Sequence, residues 1–386
     1  MKKYCLAIVL VALLALVGCA EHEHSWDSGV VTKPATCTEK GEMTYTCLVC
    51  EVQDIRTIPA TGHSYEWKTL EEADCVNDGR KKGVCSECGD ERTEVVKAAH
   101  KYDAGDDECT VCHNKKTDIE NAEARIGTKY FATLTDAIKS LKAAESKTAT
   151  INILVDSVNL DVINNVLPKE NHYSISIIGK GRDNSTLTVL TTNGGSDGSR
   201  VHYADNVDLE FKSIKVDFGG NTNYQGFARA TSLVFDNCII SGMASYWGVG
   251  ETVFKNCVFE DNNNDYNLWL YSGSKFVFEN CVFNSTAGKF INAYQPSNTT
   301  KPVEVVIDGC KFVGETEKYP AIFLKPQTIW KVEINNTECE NVKAGSESGS
   351  VLYDVRMNED GATVKFETTV TIDGAVVWEN GAKKEN

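Results

Sequence analysis

The chain has 386 residues, of which 41% are hydrophobic, so it can bury at least one large core. Seven prolines and 29 glycines are too few for a disordered or collagenous chain. The formal net charge of −16 argues against nucleic acid as a partner and favours solubility.

The segment 1–19 has the pattern of a secretory signal rather than of a folded segment. Lys2 and Lys3 precede an apolar run from Cys5 to Leu16, which is too short to span a bilayer. The run ends in Leu-Val-Gly-Cys19, which resembles a bacterial lipobox. That resemblance implies lipidation of Cys19 and a protein of the cell envelope, held on a membrane from the extracytoplasmic side. The alternative is an ordinary cleaved signal peptide.

Residues 20–118 contain three repeats that are rich in cysteine and histidine. The repeats begin at His24, His63 and His100, at nearly equal intervals. Each full repeat supplies one imidazole and three thiols, and an odd number of thiols cannot all pair within one repeat. One imidazole and three thiolates make a closed tetrahedral zinc shell of the structural kind. The predicted ligands are His24, Cys37, Cys47 and Cys50, then His63, Cys75, Cys85 and Cys88, then His100, Cys109, Cys112 and His113.

Several alternatives stay open for these repeats. The cysteines could form disulfides, since an extracytoplasmic compartment is oxidising. His22 could replace His24, or each set could take the histidine that follows it. The third repeat lacks the middle cysteine, so either His113 or an acid such as Asp107 would have to take its place. A catalytic zinc is disfavoured, because four protein ligands leave no open coordination position.

The segment from Ala35 to Cys50, followed by Ile-Pro-Ala-Thr-Gly-His63, resembles the small Cys/His ribbon repeats of bacterial cell-surface proteins. The resemblance covers residues 24–115, and it implies spacers or weak interaction modules. Each repeat is too small to have its own core, so a bound metal, Zn²⁺, would have to supply the folding free energy.

A short pattern recurs five times in the second half of the chain. An apolar residue lies two positions before an Asn or Gly, and a Cys or Thr follows it directly. A further apolar residue, or Cys in the last copy, lies three positions after it. The central positions are Asn237, Asn256, Asn280, Gly309 and Asn336. The intervals between successive central positions are shorter than the about 40 residues that a propeller blade needs. They therefore indicate a solenoid.

The alternation predicts two strands that face one interior on either side of a bend. Asn at the bend tolerates the left-handed conformation and can bond the bend of the next rung. Weaker copies at Ser213 and Thr368 extend the series. Rungs about 4.8 Å apart do not suit a disulfide, whose Cβ atoms lie about 3.8 Å apart. We therefore expect buried free thiols at Cys238, Cys257, Cys281 and Cys310.

Over about residues 120–380, this pattern resembles the right-handed parallel β-helix of the pectin-lyase-like superfamily. The stretch from Ile177 to Thr186 is similar to the early coils of that superfamily. The predicted fold class is all-β, a right-handed parallel β-helix with a short N-terminal capping helix from about Thr135 to Glu145, preceded by zinc-ribbon-like repeats. The predicted domains are 1–19 (signal peptide), 20–118 (three Cys/His repeats) and 119–386 (β-helix).

The third strand of each coil is predicted to present an outward face with two rows of side chains. The first row is Trp269, Asn292, Phe323 and Asp354, and the second is Tyr271, Tyr294, Lys325 and Arg356. Aromatic rings pack on sugar faces and polar groups bond hydroxyls, so this face suits a glycan. The alternative is that loops cover the rings, or that the rings stack to stabilise the sheet.

We therefore expect a non-catalytic surface lipoprotein that binds a polysaccharide or a host or envelope macromolecule. The alternatives are a polysaccharide lyase or glycoside hydrolase on the same fold, and a purely structural envelope protein. Such enzymes use acid clusters for calcium with a base, or paired carboxylates. In the predicted rows, Asp354 has no second acid beside it. The segment 261–265 is acidic, but it lacks the spacing and closing Glu of an EF-hand and is interpreted as a solvated loop.

Overall fold

A computed structural model describes residues 23–193, 200–219, 225–242, 244–260, 266–294, 301–325, 329–355, 367–379 and 381–384. The predicted lipidation site Cys19, the predicted ligand-binding residue Arg356 and the acidic segment 261–265 lie outside these residues. The chain divides into two compact units, Met1–His100 and Lys101–Asn386. Within the described ranges, no helix has the length and apolar character needed to cross a membrane.

The first unit contains two antiparallel three-stranded sheets, one from each of the first two Cys/His repeats. The first sheet consists of Val30–Lys33, Gly41–Thr46 and Gln53–Ile58, and the second of Tyr65–Glu71, Gly79–Cys85 and Glu91–Val96. Among residues 23–100, the buried hydrophobic side chains are all cysteines: Cys37, Cys47, Cys75 and Cys85. Apolar side chains such as Val30 and Ile55 are 64% and 61% exposed. These sheets therefore lack an ordinary hydrophobic core.

The second unit is a right-handed parallel β-helix with three sheets along its length. Sheet 1 contains Thr148–Ile153, Tyr173–Ile178, Val207–Lys212, Ser232–Asp236, Val303–Asp308, Trp330–Asn335 and Thr369–Ile372. Sheet 2 contains Ser157–Leu160, Thr186–Val189, Lys215–Asp217, Ile239–Ser241, Val258–Phe259, Val282–Ser285, Lys311–Gly314 and Glu338–Glu340. Sheet 3 contains Arg200–Tyr203, Gln225–Ala228, Ile291–Ala293, Ile322–Leu324 and Tyr353–Val355.

Two long strands, Ala244–Lys255 and Leu268–Glu279, run from sheet 3 into sheet 1. Neighbouring rungs pair in parallel in all three sheets, so each coil is hydrogen-bonded to the next along the axis. Antiparallel strands lie at the margins: Ala124–Ile126, Lys129–Phe131, Thr192–Asn193, Ala375–Glu379 and Ala382–Lys383. The helices of the described residues are Lys116–Glu120, Leu134–Ser140 and Ile163–Val166.

The bend between sheets 1 and 2 has the predicted geometry. Asn237, Asn256, Asn280 and Asn336 all adopt positive φ, between 49° and 54°, and the Asn237 side chain donates to Ser213 Oγ on the previous rung. The apolar positions on both sides point inward, where Phe254 stacks between Phe235 and Phe278 at centroid distances of 4.8 and 5.0 Å. The predicted free, buried thiols are confirmed at Cys238, Cys257, Cys281 and Cys310.

The capping helix, Leu134–Ser140, is shorter than the predicted span of 135–145. Its predicted apolar face is buried, since Leu134, Ala137 and Ile138 are all 0% exposed. The helix closes with two tight bonds, from the amides of Leu141 and Lys142 to the carbonyls of Ile138 and Lys139. Directly after it, the ammonium of Lys147 donates to the carbonyls of Leu141, Lys142 and Ala144.

Candidate metal centre and aromatic face

Each Cys-x-x-Cys segment forms the same tight turn. In the first repeat, the amide of Cys47 donates to Val52 O at 2.9 Å and that of Glu51 donates to Cys47 O at 3.0 Å. Glu51, directly after the second cysteine, has a φ of 61°. The same two bonds recur at Cys85 with Asp90 and Gly89, and at Cys109 with Asn114 and His113. The turn places both cysteines on one side, where they can hold a single ion.

His113 occupies the left-handed position of the third turn, with a φ of 60°. The corresponding residues in the other two turns are Glu51 and Gly89. The imidazole of His113 lies 3.2 Å from Glu108 Oε1 and is 72% exposed. It belongs to none of the groups of clustered ligand atoms in the described residues. The predicted use of His113 as a ligand therefore gains no support from the clustering of ligand atoms in the described residues.

Four side chains of the first unit bring their ligand atoms within 4.8 Å of one another: Cys37, His63, Cys85 and Cys88. The sulfurs of Cys37 and Cys85 lie 3.8 Å apart, and His63 Nδ1 lies 3.3 Å from Cys88 Sγ. Two thiolates bound tetrahedrally to zinc, at Zn–S about 2.3 Å, are separated by roughly 3.8 Å. The spacing and the donor set, one imidazole and three thiols, therefore fit a zinc ion.

This grouping differs from the predicted one, in which Cys37 joins His24, Cys47 and Cys50. The reason lies in the path of the chain at the end of the first repeat. The amides of Thr61 and Gly62 donate to the carbonyls of Thr36 and Cys37, at 2.9 and 3.1 Å. The chain therefore returns to the Cys37 turn directly before His63, and the lone cysteine of one repeat meets the histidine of the next.

His24, Cys47 and Cys50 form a separate group of three ligand atoms. Cys50 Sγ lies 3.5 Å from His24 Nδ1, and the His24 ring packs on Trp26 at 5.1 Å. The His63 ring packs on Tyr65 in the same way, at 5.5 Å. The His-x-aromatic spacing of the repeats thus orients the imidazole.

The remaining predicted ligands are Cys75, His100, Cys109 and Cys112. Cys75 is 6% exposed, and the amide of Ala99 donates to the carbonyl of Asp74 at 3.2 Å, much as Thr61 does to Thr36. His100 follows Ala99 directly and is half-buried. In the second unit, Cys109 is fully buried and Cys112 Sγ accepts from Asn114 Nδ2 at 3.2 Å.

The thiols of the four-ligand group differ in acidity. Backbone amides of Cys88 and Glu87 donate to Cys85 Sγ and lower the pKa of this thiol to about 6, so it is largely thiolate at neutral pH. Burial, with the neighbouring thiols, raises the pKa of Cys37 to about 11. A bound cation would favour deprotonation of Cys37, because a metal ion stabilises a coordinated thiolate.

The first predicted row of sheet 3 is in register. Trp269 pairs with Asn292, Asn292 with Phe323 and Phe323 with Asp354 on consecutive rungs. Three of the four are closed to solvent: Asn292 is 2% exposed, Phe323 4% and Asp354 3%. The Asp354 carboxylate accepts from three backbone amides of the chain itself. Only Trp269, which is half-buried, keeps part of its surface accessible to a ligand.

The second row gives a set of half-buried side chains that contact one another. The ring centroids of Tyr271 and Tyr294 are 5.5 Å apart, and Trp269 lies 5.7 Å from Tyr271 and 6.1 Å from Tyr294. Lys325 Nζ lies 4.8 Å from the centre of the Tyr294 ring. We call Trp269, Tyr271, Tyr294 and Lys325 the aromatic face. It combines three rings and a cation on adjacent rungs of sheet 3.

Two further rings adjoin the aromatic face and were not found from the sequence. Tyr266 lies 5.4 Å from Trp269, and Tyr319 lies 5.7 Å from Tyr266. Both residues precede a strand of sheet 3 rather than lie in one. The alternation of strand residues therefore carries no signal for them.

No family model, curated protein or solved structure matches this chain. The fold is shown by the parallel pairing of its strands. Its function has to be argued from the side chains that the fold brings together.

Proposed function

We propose that the chain is a bacterial surface lipoprotein whose β-helix binds a polysaccharide through the aromatic face without catalysing a reaction. The observation that supports this most is the mutual contact of Trp269, Tyr271 and Tyr294 on adjacent rungs, at centroid distances of 5.5–6.1 Å. Exposed ring surface packs on the apolar face of a sugar, and the ammonium of Lys325 can donate to its oxygens. A row that follows the helix axis suits an extended chain ligand.

We propose that the protein is not a catalyst because the one acid in the predicted rows is buried and hydrogen-bonded within the chain. Asp354 is 3% exposed, and its carboxylate accepts hydrogen bonds from Ser346, Glu347 and Ser348. A glycosidase needs two carboxyl groups that reach the scissile bond from either side. A carboxylate that is closed to solvent and bonded by its own chain does not meet that requirement.

Anchoring of the protein to the cell envelope is proposed from the Leu-Val-Gly-Cys19 motif and the apolar run before it. A thioether-linked lipid on Cys19 would hold the protein on the membrane surface. Metabolic labelling with a palmitate analogue should mark the wild-type protein and leave Cys19→Ser unlabelled. Labelling of both proteins, or of neither, would contradict the proposal.

The Cys/His repeats are proposed to bind structural zinc. Among the described residues of the first unit, the buried hydrophobic side chains are all cysteines, so apolar burial contributes little to its stability. The group of Cys37, His63, Cys85 and Cys88 offers the one-imidazole, three-thiolate shell of a structural zinc site. Small domains without a core obtain their folding free energy from such an ion.

A polysaccharide screen followed by variants tests the binding proposal. Trp269→Ala and Tyr294→Ala should each weaken binding about tenfold, since aromatic packing adds about 0.5–1.5 kcal/mol to the burial of the ring. Tyr203→Ala is a matched control, because Tyr203 also lies in sheet 3 with a cation, Arg229, 4.4 Å from its ring. It should bind as the wild type does, and all variants should keep the wild-type circular dichroism spectrum.

The other outcomes decide between the alternatives. Release of unsaturated or reducing ends from the bound polymer would show that the protein is a lyase or a hydrolase rather than a binding protein. Binding that survives both ring substitutions would exclude the aromatic face as the contact surface. An intact protein that retains no polysaccharide in the screen would favour a structural envelope role.

A further inference from the structure

We infer that Cys37, His63, Cys85 and Cys88 form a closed zinc site that cross-links the first two Cys/His repeats, with the fourth ligand supplied by the preceding repeat. This inference rests on the proposed structural zinc and deepens it. It assigns the ion to the junction between repeats rather than to the interior of one.

The position of the four residues in the two sheets supports the cross-link. Cys37 lies in the turn between Val30–Lys33 and Gly41–Thr46, within the first sheet. His63, Cys85 and Cys88 belong to the second repeat, where Cys85 ends the strand Gly79–Cys85. Hydrogen bonds from Thr61 and Gly62 to the Cys37 turn fold the end of the first repeat back, which brings the start of the second repeat at His63 to this point.

The packing of the two sheets supports it as well. In the described residues, no strand of the first sheet pairs with a strand of the second. The buried hydrophobic side chains described in this unit are cysteines, and Cys37 and Cys85 bring their sulfurs within 3.8 Å across the junction. An ion bound there would join the two sheets through bonds to both, where apolar burial contributes little.

The chemistry of the donor set favours a borderline-soft divalent ion of zinc type. Binding would release the protons of those thiols that are not already ionised, and the neutral imidazole would bind through Nδ1, which faces Cys88 Sγ at 3.3 Å. Three thiolates and one imidazole fill the tetrahedral shell and leave no position for water. The site is therefore structural, and loss of any one ligand opens it.

Site-resolved alkylation of the purified chain tests this assignment. The zinc-loaded protein is treated with N-ethylmaleimide, with and without a chelator, and the modification of each cysteine is read by peptide mass spectrometry. In Cys37→Ser, we expect Cys85 and Cys88 to react at least about tenfold faster than in the wild type, as the loss of a ligand costs at least as much affinity as the loss of a supporting contact. Cys47 and Cys50 should keep their wild-type rates.

Cys47→Ser is the matched control and should give the opposite pattern, with Cys50 accelerated and Cys85 and Cys88 unchanged. A Cys37→Ser variant that exposes Cys47 and Cys50 instead would overturn the cross-link and restore the grouping within one repeat. A wild-type protein in which the chelator changes no rate, or in which Cys37 and Cys85 are found as a disulfide, would overturn the proposed zinc itself. The two failures are thus distinguishable.

Discussion

The carboxylate of Asp354 accepts two hydrogen bonds from Ser346, one from its backbone amide at 2.9 Å and one from its hydroxyl at 3.3 Å. The amides of Glu347 and Ser348 donate to the other oxygen, at 3.1 and 3.0 Å. Asp354 lies in sheet 3, and its partners lie in the loop that follows sheet 2. The acid therefore fastens a loop to the wall of the β-helix.

Asp354→Asn should lower the free energy of unfolding by about 1–3 kcal/mol, because the amide group replaces a buried charged acceptor of four hydrogen bonds. Urea denaturation measures this. Asp156→Asn is the control: its side chain is 86% exposed and forms an ion pair with Lys180, so we expect less than about 1 kcal/mol. Loss of polysaccharide binding in Asp354→Asn without loss of stability would instead assign the acid to the ligand.

His202 is fully buried and neutral in the fold. Its Nε2 accepts from the amide of Ile163 at 3.3 Å and its Nδ1 donates to the carbonyl of Leu190 at 2.8 Å. Burial lowers the pKa of His202 from 6.5 to about 4, although the bond to Leu190 opposes this. The unfolded chain takes up a proton near pH 6.5 and the folded chain only near pH 4. This contribution to stability is therefore constant well above pH 6.5 and falls below it.

We expect the free energy of unfolding to decrease by roughly 3 kcal/mol between pH 6.5 and 4 on account of this histidine. His202→Asn should be less stable at neutral pH and should lack this part of the decrease, as measured by urea denaturation across the range. His172→Asn alters an exposed histidine that bonds Asp208 and should keep the wild-type decrease. A His202→Asn variant with the full wild-type pH dependence would contradict the assignment.

The phenylalanine stack at the interior of sheet 1 should dominate the stability of the β-helix. Phe254 is fully buried and stacks on Phe235 and Phe278. Phe254→Ala should lower the free energy of unfolding by about 3–5 kcal/mol, because the cavity adds to the lost transfer free energy. Val376→Ala, at a side chain that is 42% exposed, should cost less than about 1 kcal/mol. Equal effects of the two substitutions would show that the stack is not the core.

Gly288 has a φ of 63°, and a Cβ built on it would clash with the carbonyl oxygen of Thr316. Gly374 also has a positive φ, 81°, but a Cβ there would meet no atom within 4 Å. Gly374→Ala should therefore cost only about 1–2 kcal/mol from the left-handed backbone. Gly288→Ala should cost more, because a backbone carbonyl has to move as well. Thermal unfolding of the two variants measures the difference, and a smaller loss in Gly288→Ala would refute the clash.

Much of the β-helix could be predicted from the sequence because its signal is local and repeated. The Asn-Cys bend with apolar residues on both sides fixes two strands per coil, and the inward positions such as Phe235 and Ile240 are buried. The rows of sheet 3 followed from alternation, and the register of Trp269 with Asn292 is as predicted. Burial of that row was one of the alternatives that the sequence left open, because it depends on what covers the sheet rather than on its period.

The grouping of the cysteines could not be read from spacing alone. Cys37 is much nearer in sequence to Cys47 than to His63, so proximity along the chain favoured partners other than those that lie around Cys37 in the structure. The hydrogen bonds of Thr61 and Gly62 bring His63 to the Cys37 turn. They are formed by backbone atoms, so no particular residue type in the sequence indicates them. The position of His113 was not evident from the sequence either: its residue type suggests a ligand, whereas in the structure it has a φ of 60° and lies outside the groups of clustered ligand atoms in the described residues.

Each connection from sheet 1 to sheet 2 consists of only two residues in the rungs from Ser213-Ile214 to Asn336-Thr337; Asn237-Cys238 is one example. Differences in coil length therefore fall in the other two connections, such as those between Ser285 and Ile291 and between Glu340 and Tyr353. An engineer who wished to graft a foreign peptide would find this edge intolerant of insertions over these rungs, whereas the earlier connection from Ile178 to Thr186 is already longer. The opposite edges would accept inserts of differing size while the stacking of rungs, and thus the frame that displays them, stayed unchanged.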